Sequence, residues 1–267
     1  MQSKFYTVCW DSSYENCLDI TNQLDNSETD FVVYNVSEYP SNHPNWVDAD
    51  DVRYYGHFYN ALKDFKESDK SIFVFNAGDA KYDNHSRYIE KVEALFEEDR
   101  NVYVFAPSLT NDEFTGPGGY IKESEKYKDY YLSTHTNGIY VFLRKEVAHY
   151  LCDFLDWATK NDELNLKEMK SGWGLDTSYA SYAIYLGKKI YRDKLIMEHP
   201  AGSTYHHANA FLEMNWFIEK FRKYCELNGF NGNKLQRIYD VIYQKAREHT
   251  KFKLEHIYIN TKNFTED

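Results

Sequence analysis

Strand-like and helix-like segments alternate along the first 107 residues of this 267-residue chain, and this order limits the possible folds more than any other feature. Four apolar runs have the length and composition of strands, at 4–10, 30–36, 71–75 and 101–107. Amphipathic patterns between them predict three helices, one from Tyr14 to Leu24, one that ends at Phe65 and one from His85 to Phe96. The alternation predicts an α/β fold in which a mostly parallel sheet is flanked by helices.

The pattern changes after residue 107. Residues 108–137 contain Gly116, Gly118 and Gly119 and are typical of a long loop. We predict that its glycine-rich part, residues 115–119, acts as a lid over a bound ligand. The later patterns predict a strand at 138–143, a helix at 145–157, a helix from 171 through 186, a strand within 188–200, and helices at 211–227 and 234–249.

Polar clusters follow three of the apolar segments. The clusters are Asn76-Ala77-Gly78-Asp79, Gly172-Trp173-Gly174-Leu175-Asp176 and Glu198-His199-Pro200. In sheets of this kind, ligands bind beyond the carboxyl ends of the strands. The polar end of "SIFVFNAGDA" is therefore predicted to lie at a ligand site, although a simple Gly-Asp turn would explain the same residues.

The charge of the chain is unevenly distributed. A net charge of −11 argues against a protein that is coated in nucleic acid over its whole surface. Residues 219–262, however, contain ten Lys or Arg against five Asp or Glu, so the C-terminal part is basic. This asymmetry is compatible with a polyanionic partner or a membrane surface, and equally with a solvated helical surface.

The cysteines and the hydropathy bear on the cellular compartment in which we expect the protein. Cys9, Cys17, Cys152 and Cys225 form no C-x-x-C pair, and we expect them to be reduced. No apolar stretch approaches the ~18 residues of a membrane span. We therefore expect a soluble, cytoplasmic protein, located in the host cytoplasm if the source is viral.

The order of these segments resembles that of the GT-A fold nucleotide-sugar-dependent glycosyltransferases. "RYYGHFYNALKDFKESDKSIFVFNAGDA" is similar to the family's helix, central strand and acidic motif. The family's strand and helix beside the donor sugar are similar to "STHTNGIYVFLRKEVAHYL". The family's later segments, which contribute a carboxylate and a histidine to the site, are similar to "GWGLDTSYASYAIYLGKKIYRDKLIMEHP". The resemblance implies a Rossmann-like GT-A domain at 1–205, with a nucleotide-binding half (about 1–107) and an acceptor half (about 108–205). A helical, basic extension would follow at 206–267.

The resemblance also implies individual roles. The nucleotide-sugar donor, most simply a UDP-sugar, would contact Trp10, Asp11, Arg53, Gly56, Asn76, Gly78 and Asp79. The acceptor and the sugar would contact Asn137, Trp173 and Gly174, and Asp176 would be the catalytic base. Attack by an acceptor activated in this way would invert the anomeric centre. Asp79 and His199 would hold Mn²⁺ or Mg²⁺ on the diphosphate.

The acidic motif departs from the family's usual Asp-x-Asp. Here it is Asn76-x-x-Asp79, which retains one carboxylate. One carboxylate, one imidazole and two phosphate oxygens can still hold Mn²⁺ once the nucleotide is bound. His206 and His207 compete with His199 for the role of the imidazole ligand.

Each of these residues also has a structural interpretation. Asp79 can be a turn residue, and Asp176 can cap its helix by accepting backbone N–H groups. His199 precedes a proline at a strand end and can be structural. Trp173 can be a packing residue as well as a platform for a sugar ring.

The acceptor is weakly specified. A soluble chain with a basic C-terminal part resembles the bacteriophage glycosyltransferases that modify hydroxymethylated pyrimidines in DNA, where basic side chains would contact phosphates. The alternatives are a glycosyltransferase of cell-surface polysaccharide synthesis and a non-catalytic nucleotide-sugar-binding module. A nucleotidyltransferase would require a Gly-rich, basic loop after the first strand, which "VCWDSSYEN" does not contain.

Overall fold

The computed structural model describes residues 1–110, 120–165, 169, 172–200 and 210–247. Its strands are β1 (Ser3–Cys9), β2 (Asp30–Asn35), β3 (Trp46–Asp48), β4 (Ile72–Asn76), β5 (Val102–Leu109), β6 (Tyr120–Glu123), β7 (Tyr130–Ser133), β8 (Tyr140–Arg144) and β9 (Lys189–Met197). Its helices are α1 (Tyr14–Leu24), α2 (Arg53–Lys66), α3 (His85–Glu98), α4 (Lys145–Lys160), α5 (Leu175–Tyr185), α6 (Ala210–Leu227) and α7 (Gly232–Arg247).

The strands in the described part of the chain form one sheet in the order β3-β2-β1-β4-β8-β5-β9-β7-β6. The first four of these pair in parallel, as do β5 and β9. β8 lies antiparallel between β4 and β5, and β7 lies antiparallel between β9 and β6. Only β8 and β7 therefore run against the other strands, and the carboxyl ends of β1, β2, β4, β5 and β9 meet at one edge.

Helices cover both faces of the sheet. The Phe5 ring on β1 contacts the His85 ring of α3, at 6.3 Å between centroids. The next residue, Tyr6, faces the opposite way and donates a hydrogen bond of 2.6 Å to Asp64 of α2. Because successive strand residues point to opposite faces, α2 and α3 lie on opposite sides of β1. The predicted α/β fold with flanking helices is confirmed.

The central strand β4 is buried along its whole length, which explains its continuous apolar sequence. Phe73 and Phe75 contact the Phe58 ring of α2 at 5.2 and 4.8 Å. Aromatic side chains of this kind fill much of the core between the sheet and α2. The abundance of Phe and Tyr in the sequence therefore serves packing at many positions.

Three strands were missed by the sequence analysis. β3 has only three residues, too few for a period-2 pattern to be recognised. β6 and β7 lie within the segment 108–137 that we predicted to be a loop. They are four residues each, and β7 is stabilised by pairing with β9, a distant partner. Residues 115–119, the predicted lid, lie outside the described residues.

The C-terminal helices pack onto the same hydrophobic core. The Phe217 ring of α6 stacks on Tyr55 of α2 at 4.9 Å and contacts Phe154 of α4 at 5.3 Å. The boundaries at 107 and 205 remain predictions. Within the described residues, no helix has both the length and the apolar character needed to cross a membrane.

Two buried histidines should make the stability of the fold pH-dependent. His57 and His85 are both 0% exposed, and burial lowers the pKa of each from 6.5 to about 4. As the pH falls below 6.5, the unfolded chain binds protons that the folded chain excludes, so stability is lost towards pH 4. From pH 7.5 to pH 5, each histidine should lower the free energy of unfolding by about 2 kcal/mol.

Urea denaturation at both pH values checks this expectation. His85→Phe removes one of the two titrating rings and keeps an aromatic side chain. Its loss of stability from pH 7.5 to pH 5 should be smaller than that of the wild type by about 2 kcal/mol. Equal losses in the two proteins would contradict the assignment.

Candidate functional site

The turn after β4 is formed by Asn76 and Gly78. The Asn76 side chain accepts a hydrogen bond of 3.0 Å from the Gly78 N–H and donates one of 3.4 Å to the carbonyl of Ala80. Gly78 has φ = +94°, and a Cβ added there would lie 1.9 Å from the carbonyl oxygen of Val8. The amide of Asn76 therefore holds the turn, and only glycine allows the close approach to β1. The turn carries Asp79.

Asp79 and His199 meet at this edge of the sheet. Lys81 pairs with Glu198 in an antiparallel bridge whose N–H···O distance is 2.8 Å, and this bridge draws the two segments together. The Asp79 Oδ2 atom lies 3.2 Å from His199 Nε2, and the side chains are 36% and 14% exposed. The other carboxylate oxygen of Asp79, Oδ1, is buried without a hydrogen-bond partner. A buried carboxylate oxygen without a donor is costly, which is a feature of ligand sites.

This pair fits a divalent cation only in part. Among the described residues, no cluster of three or more His, Cys, Asp or Glu side chains could hold a metal ion. Asp79 and His199 supply one oxygen and one nitrogen ligand, and the unpartnered Oδ1 of Asp79 is available for coordination. Mn²⁺ and Mg²⁺ commonly complete such a shell with phosphate oxygens and water. His206 and His207, the competing ligands, lie outside the described residues.

Tyr54, in the first turn of α2, lies between the two halves of the site. Its hydroxyl donates to the carbonyl of Gly138. A Cβ on Gly172 would lie 2.6 Å from the Tyr54 ring, so this glycine allows the ring to pack closely. Burial, and then the negative charges of Asp176 and Asp79, raise the pKa of Tyr54 well above its ordinary value. The two carboxylates therefore act on one buried side chain.

Asp176 lies in the first turn of α5, where both of its oxygens are engaged. Oδ1 accepts hydrogen bonds from the N–H groups of Thr177 (2.7 Å) and Gly174 (3.3 Å). Oδ2 lies 2.9 Å from His135 Nε2. Burial would raise the pKa of Asp176, but the neighbouring His135 ring and these hydrogen bonds lower it below its ordinary value. The carboxylate is thus held ionised. Gly174, and not Asp176, is the N-cap residue of α5.

The other predicted acceptor residues lie in the two segments that meet at this contact, Trp173 and Gly174 before Asp176 and Asn137 after His135. The carbonyl of Trp173 accepts a hydrogen bond from the Tyr55 hydroxyl. Gly174 has φ = +98° and packs against the backbone of α6. The Asn137 side chain accepts from the N–H groups of Ile139 and Tyr140, at 3.2 and 3.1 Å. Asn137 therefore shapes the entry to β8, beside the predicted site.

The predicted nucleotide-binding residues lie at the ends of β1 and α2. The Trp10 indole N–H donates a hydrogen bond of 3.2 Å to the carbonyl of Ala77, and this bond connects the tips of β1 and β4. Asp11 is exposed and accepts a hydrogen bond of 2.8 Å from the Glu38 N–H. Arg53, with φ = +62°, contacts Asp51 at 2.7 Å.

Gly56 lines a groove between α2 and the residues at and after the end of α4, with a volume of about 550 Å³. The groove is lined by Val52, Gly56, Tyr59, Asn60, Thr159, Asp162, Leu164 and Asn165. None of these residues belongs to the pair Asp79–His199 or to the pair Asp176–His135. Of the predicted site residues, only Gly56 therefore borders this groove.

Sequence analysis missed Tyr54, Tyr55 and His135. The two tyrosines stand in the quoted block "RYYGHF", where they fit the helical pattern as packing residues. His135 stands in "STHTNG", inside the segment predicted to be a loop, 41 residues from Asp176. A histidine among small polar residues before a buried strand was the only available signal.

Comparisons with known proteins give structural matches only. No family model and no curated protein matches the chain. The structure of TarS from S. aureus aligns with a TM-score of 0.50 and 12% identity, covering 100% of this chain and 50% of TarS. A197 from STIV aligns with a TM-score of 0.41 and 17% identity, covering 78% of this chain and all of A197. UDP-glucose pyrophosphorylase complexed with UDP-glucose aligns with a TM-score of 0.45 and 9% identity, covering 85% and 99% of the two chains.

The alignment with TarS shows that the chain has a GT-A-like fold. The fold implied by the motif order is therefore confirmed. The roles of the individual site residues remain predictions.

Gly78→Ala should disrupt the turn that carries Asp79. The new Cβ would overlap the Val8 carbonyl, and the positive φ adds strain of ~1–2 kcal/mol. We expect the free energy of unfolding, measured by urea denaturation, to fall by clearly more than that strain. Gly229→Ala is the matched control, because Gly229 has φ = +85° and no atom lies within 4 Å of its added Cβ. Equal losses in both variants would contradict the close approach.

Proposed function

We propose that the protein is a glycosyltransferase, which moves a sugar from a nucleoside-diphosphate sugar to an acceptor hydroxyl. The observation that supports this most is the pair Asp79–His199 at the carboxyl edge of a GT-A-like sheet, with the buried Oδ1 of Asp79 unpartnered. Ligands of such sheets bind at this edge. A UDP-sugar is the donor that we would test first.

We propose that Asp79 and His199 hold Mn²⁺ or Mg²⁺ together with the donor. The carboxylate and the imidazole would supply two ligands, and diphosphate oxygens and water the others. When bound, the ion would stabilise the negative charge that develops on the leaving diphosphate. The turn held by Asn76 and Gly78 keeps the Asp79 carboxylate at the strand tip.

The nucleoside would contact the adjoining ends of β1 and α2. Trp10, Asp11, Arg53 and Gly56 are the residues that we propose for this part of the donor. The hydrogen bond from Trp10 to Ala77 supports the proposal, because it links the tip of β1 directly to the turn that carries Asp79.

The acceptor hydroxyl needs a base, since its own pKa lies far above neutrality. Asp176 is the ionised carboxylate next to the predicted acceptor residues Asn137, Trp173 and Gly174. Attack on the face opposite the diphosphate would invert the anomeric centre. An NMR assignment of the product linkage tests this, and retention of the donor configuration would contradict it.

For the acceptor we propose a hydroxymethylated pyrimidine in DNA, as modified by bacteriophage enzymes. Support comes from the basic composition of residues 219–262. Part of that charge is already paired within the protein: Lys220 and Lys223 contact Glu163, and Arg222 contacts Glu226. A growing cell-surface polysaccharide is the alternative acceptor. A binding module without turnover is the alternative outside this enzyme class.

Nucleotide binding is the first expected result. A UDP-sugar at ~100 times its dissociation constant with Mn²⁺ should add about 2.7 kcal/mol of stability and raise Tm by several degrees. Asp79→Asn should abolish the metal-dependent part of the shift. Glu198→Gln, an exposed carboxylate next to His199, is the control and should keep it. A full metal-dependent shift in Asp79→Asn would refute the proposed site.

Transfer to DNA is the second expected result. With a labelled UDP-sugar, label should appear in DNA that contains hydroxymethylated pyrimidines and not in unmodified DNA. Affinity for DNA should fall steeply with salt, because Lys and Arg contacts to phosphate release counterions. Label in a lipid-linked or free glycan instead would favour the polysaccharide acceptor. Binding of the nucleotide sugar without transfer to any acceptor or to water would favour the binding module.

A further inference from the structure

The pair Asp176–His135 has the arrangement of a carboxylate that orients a histidine base. Asp176 Oδ2 lies 2.9 Å from His135 Nε2, and the two side chains are 23% and 10% exposed. The backbone N–H groups of Thr177 and Gly174 hold the other carboxylate oxygen. Since an ionised carboxylate only accepts hydrogen bonds, Nε2 must carry the proton in this contact. The lone pair of the neutral imidazole is therefore on Nδ1.

The Nδ1 atom of His135 is available for chemistry. No other described residue hydrogen-bonds to the His135 ring, and Nδ1 is not among the buried unpartnered atoms. His57 contrasts with it, since both of its ring nitrogens are buried without a partner. Nδ1 is therefore the ring nitrogen that can accept a proton.

The backbone around His135 is held rigidly. The Ser133 hydroxyl donates a hydrogen bond of 2.5 Å to the carbonyl of His135 and accepts one of 3.2 Å from the His135 N–H. The Tyr179 hydroxyl of α5 contacts Thr136 Oγ1 and the carbonyl of Asn137, each at 3.0 Å. Helix α5 thus provides the carboxylate and also fixes the segment that carries the imidazole. Such fixed positioning is what an efficient general base requires.

We infer that His135 is the catalytic base of the transfer, in place of Asp176, and that Asp176 is the residue that positions it. This inference rests on the proposed function. As the acceptor oxygen attacks the anomeric carbon, its proton passes to His135 Nδ1. The bond from that carbon to the diphosphate breaks, and its electron pair leaves on the phosphate oxygen. The resulting imidazolium is stabilised by the Asp176 carboxylate and later releases its proton to water.

Two titratable groups of α2 face this pair, and two further carboxylates act on them. Tyr54 and Tyr55 of α2 have a pKa raised far above neutrality, first by burial and next by the charge of Asp176. Glu213 of α6 raises the pKa of Tyr55, and Asp79 raises that of Tyr54. Histidines as a class change charge between pH 5 and 8, whereas carboxylates do so at lower pH. A pH–rate profile therefore distinguishes a histidine base from a carboxylate base.

The first test is kinetic and uses the full chain with Mn²⁺ and a UDP-sugar. His135→Gln should lower kcat by about 10²–10⁴-fold, leave the KM and the thermal shift of the donor unchanged, and remove the acid limb of the pH–rate profile. His43→Gln is the matched control, since His43 also pairs with a carboxylate, Asp25, at 2.9 Å but lies outside the site. It should retain wild-type kcat and pH dependence.

The second test does not depend on turnover. At high pH, ¹⁵N-imidazole NMR spectra should show the His135 ring proton on Nε2, and Asp176→Asn should alter that tautomer signal. Full kcat in His135→Gln, or a proton on Nδ1, would overturn the assignment of the base while leaving the glycosyltransferase proposal intact. Absence of any transfer by the wild type would instead overturn both.

Discussion

The hydroxyl groups of Tyr54 and Tyr55 are the contacts on which the site depends most. Adjacent in the first turn of α2, they donate to the carbonyls of Gly138 and Trp173, two loops that are far apart in sequence. A buried hydroxyl without a partner is costly, so these bonds fix where both loops can lie. Gly172 allows the ring of Tyr54 to pack closely. The N-terminal end of α2 thus fixes the positions of the loop before β8 and the loop before α5 relative to β4.

This arrangement places two negatively charged carboxylates, those of Asp79 and Asp176, near the buried side chain of Tyr54. Asp79 and Asp176 both raise the pKa of Tyr54, yet each carboxylate is compensated differently. Asp176 is compensated by His135 and by backbone N–H groups, whereas Asp79 keeps one buried oxygen without a donor. An incompletely compensated carboxylate is the side chain best suited to bind a cation. A fully compensated one is suited to orient a neighbour. The two acids are therefore prepared for different tasks before any ligand binds.

Much of the fold could be predicted because its cause is local. Helix α1 begins and ends where its amphipathic pattern predicts, and β4 follows a continuous apolar run. The strands missed were short, and β7 owes its stability to pairing with β9. The site was predicted less completely. Asp79 and His199 were named together only through a family resemblance, and His135 was not named. Its role depends on a partner 41 residues away that no local pattern reveals.

The sequence by itself determined the alternation of strands and helices and the polar turn at the tip of β4. Hydrophobic periodicity and the conformational freedom of Gly78 act over a few residues, so they can be recognised without the fold. The tertiary structure alone decided which polar side chains meet. The sheet order brings β9 and its His199 to the edge where β4 ends in Asp79, and α5 brings Asp176 to His135. Electrostatic interactions depend on distance in space, and the order of strands in the sheet is not their order in the chain.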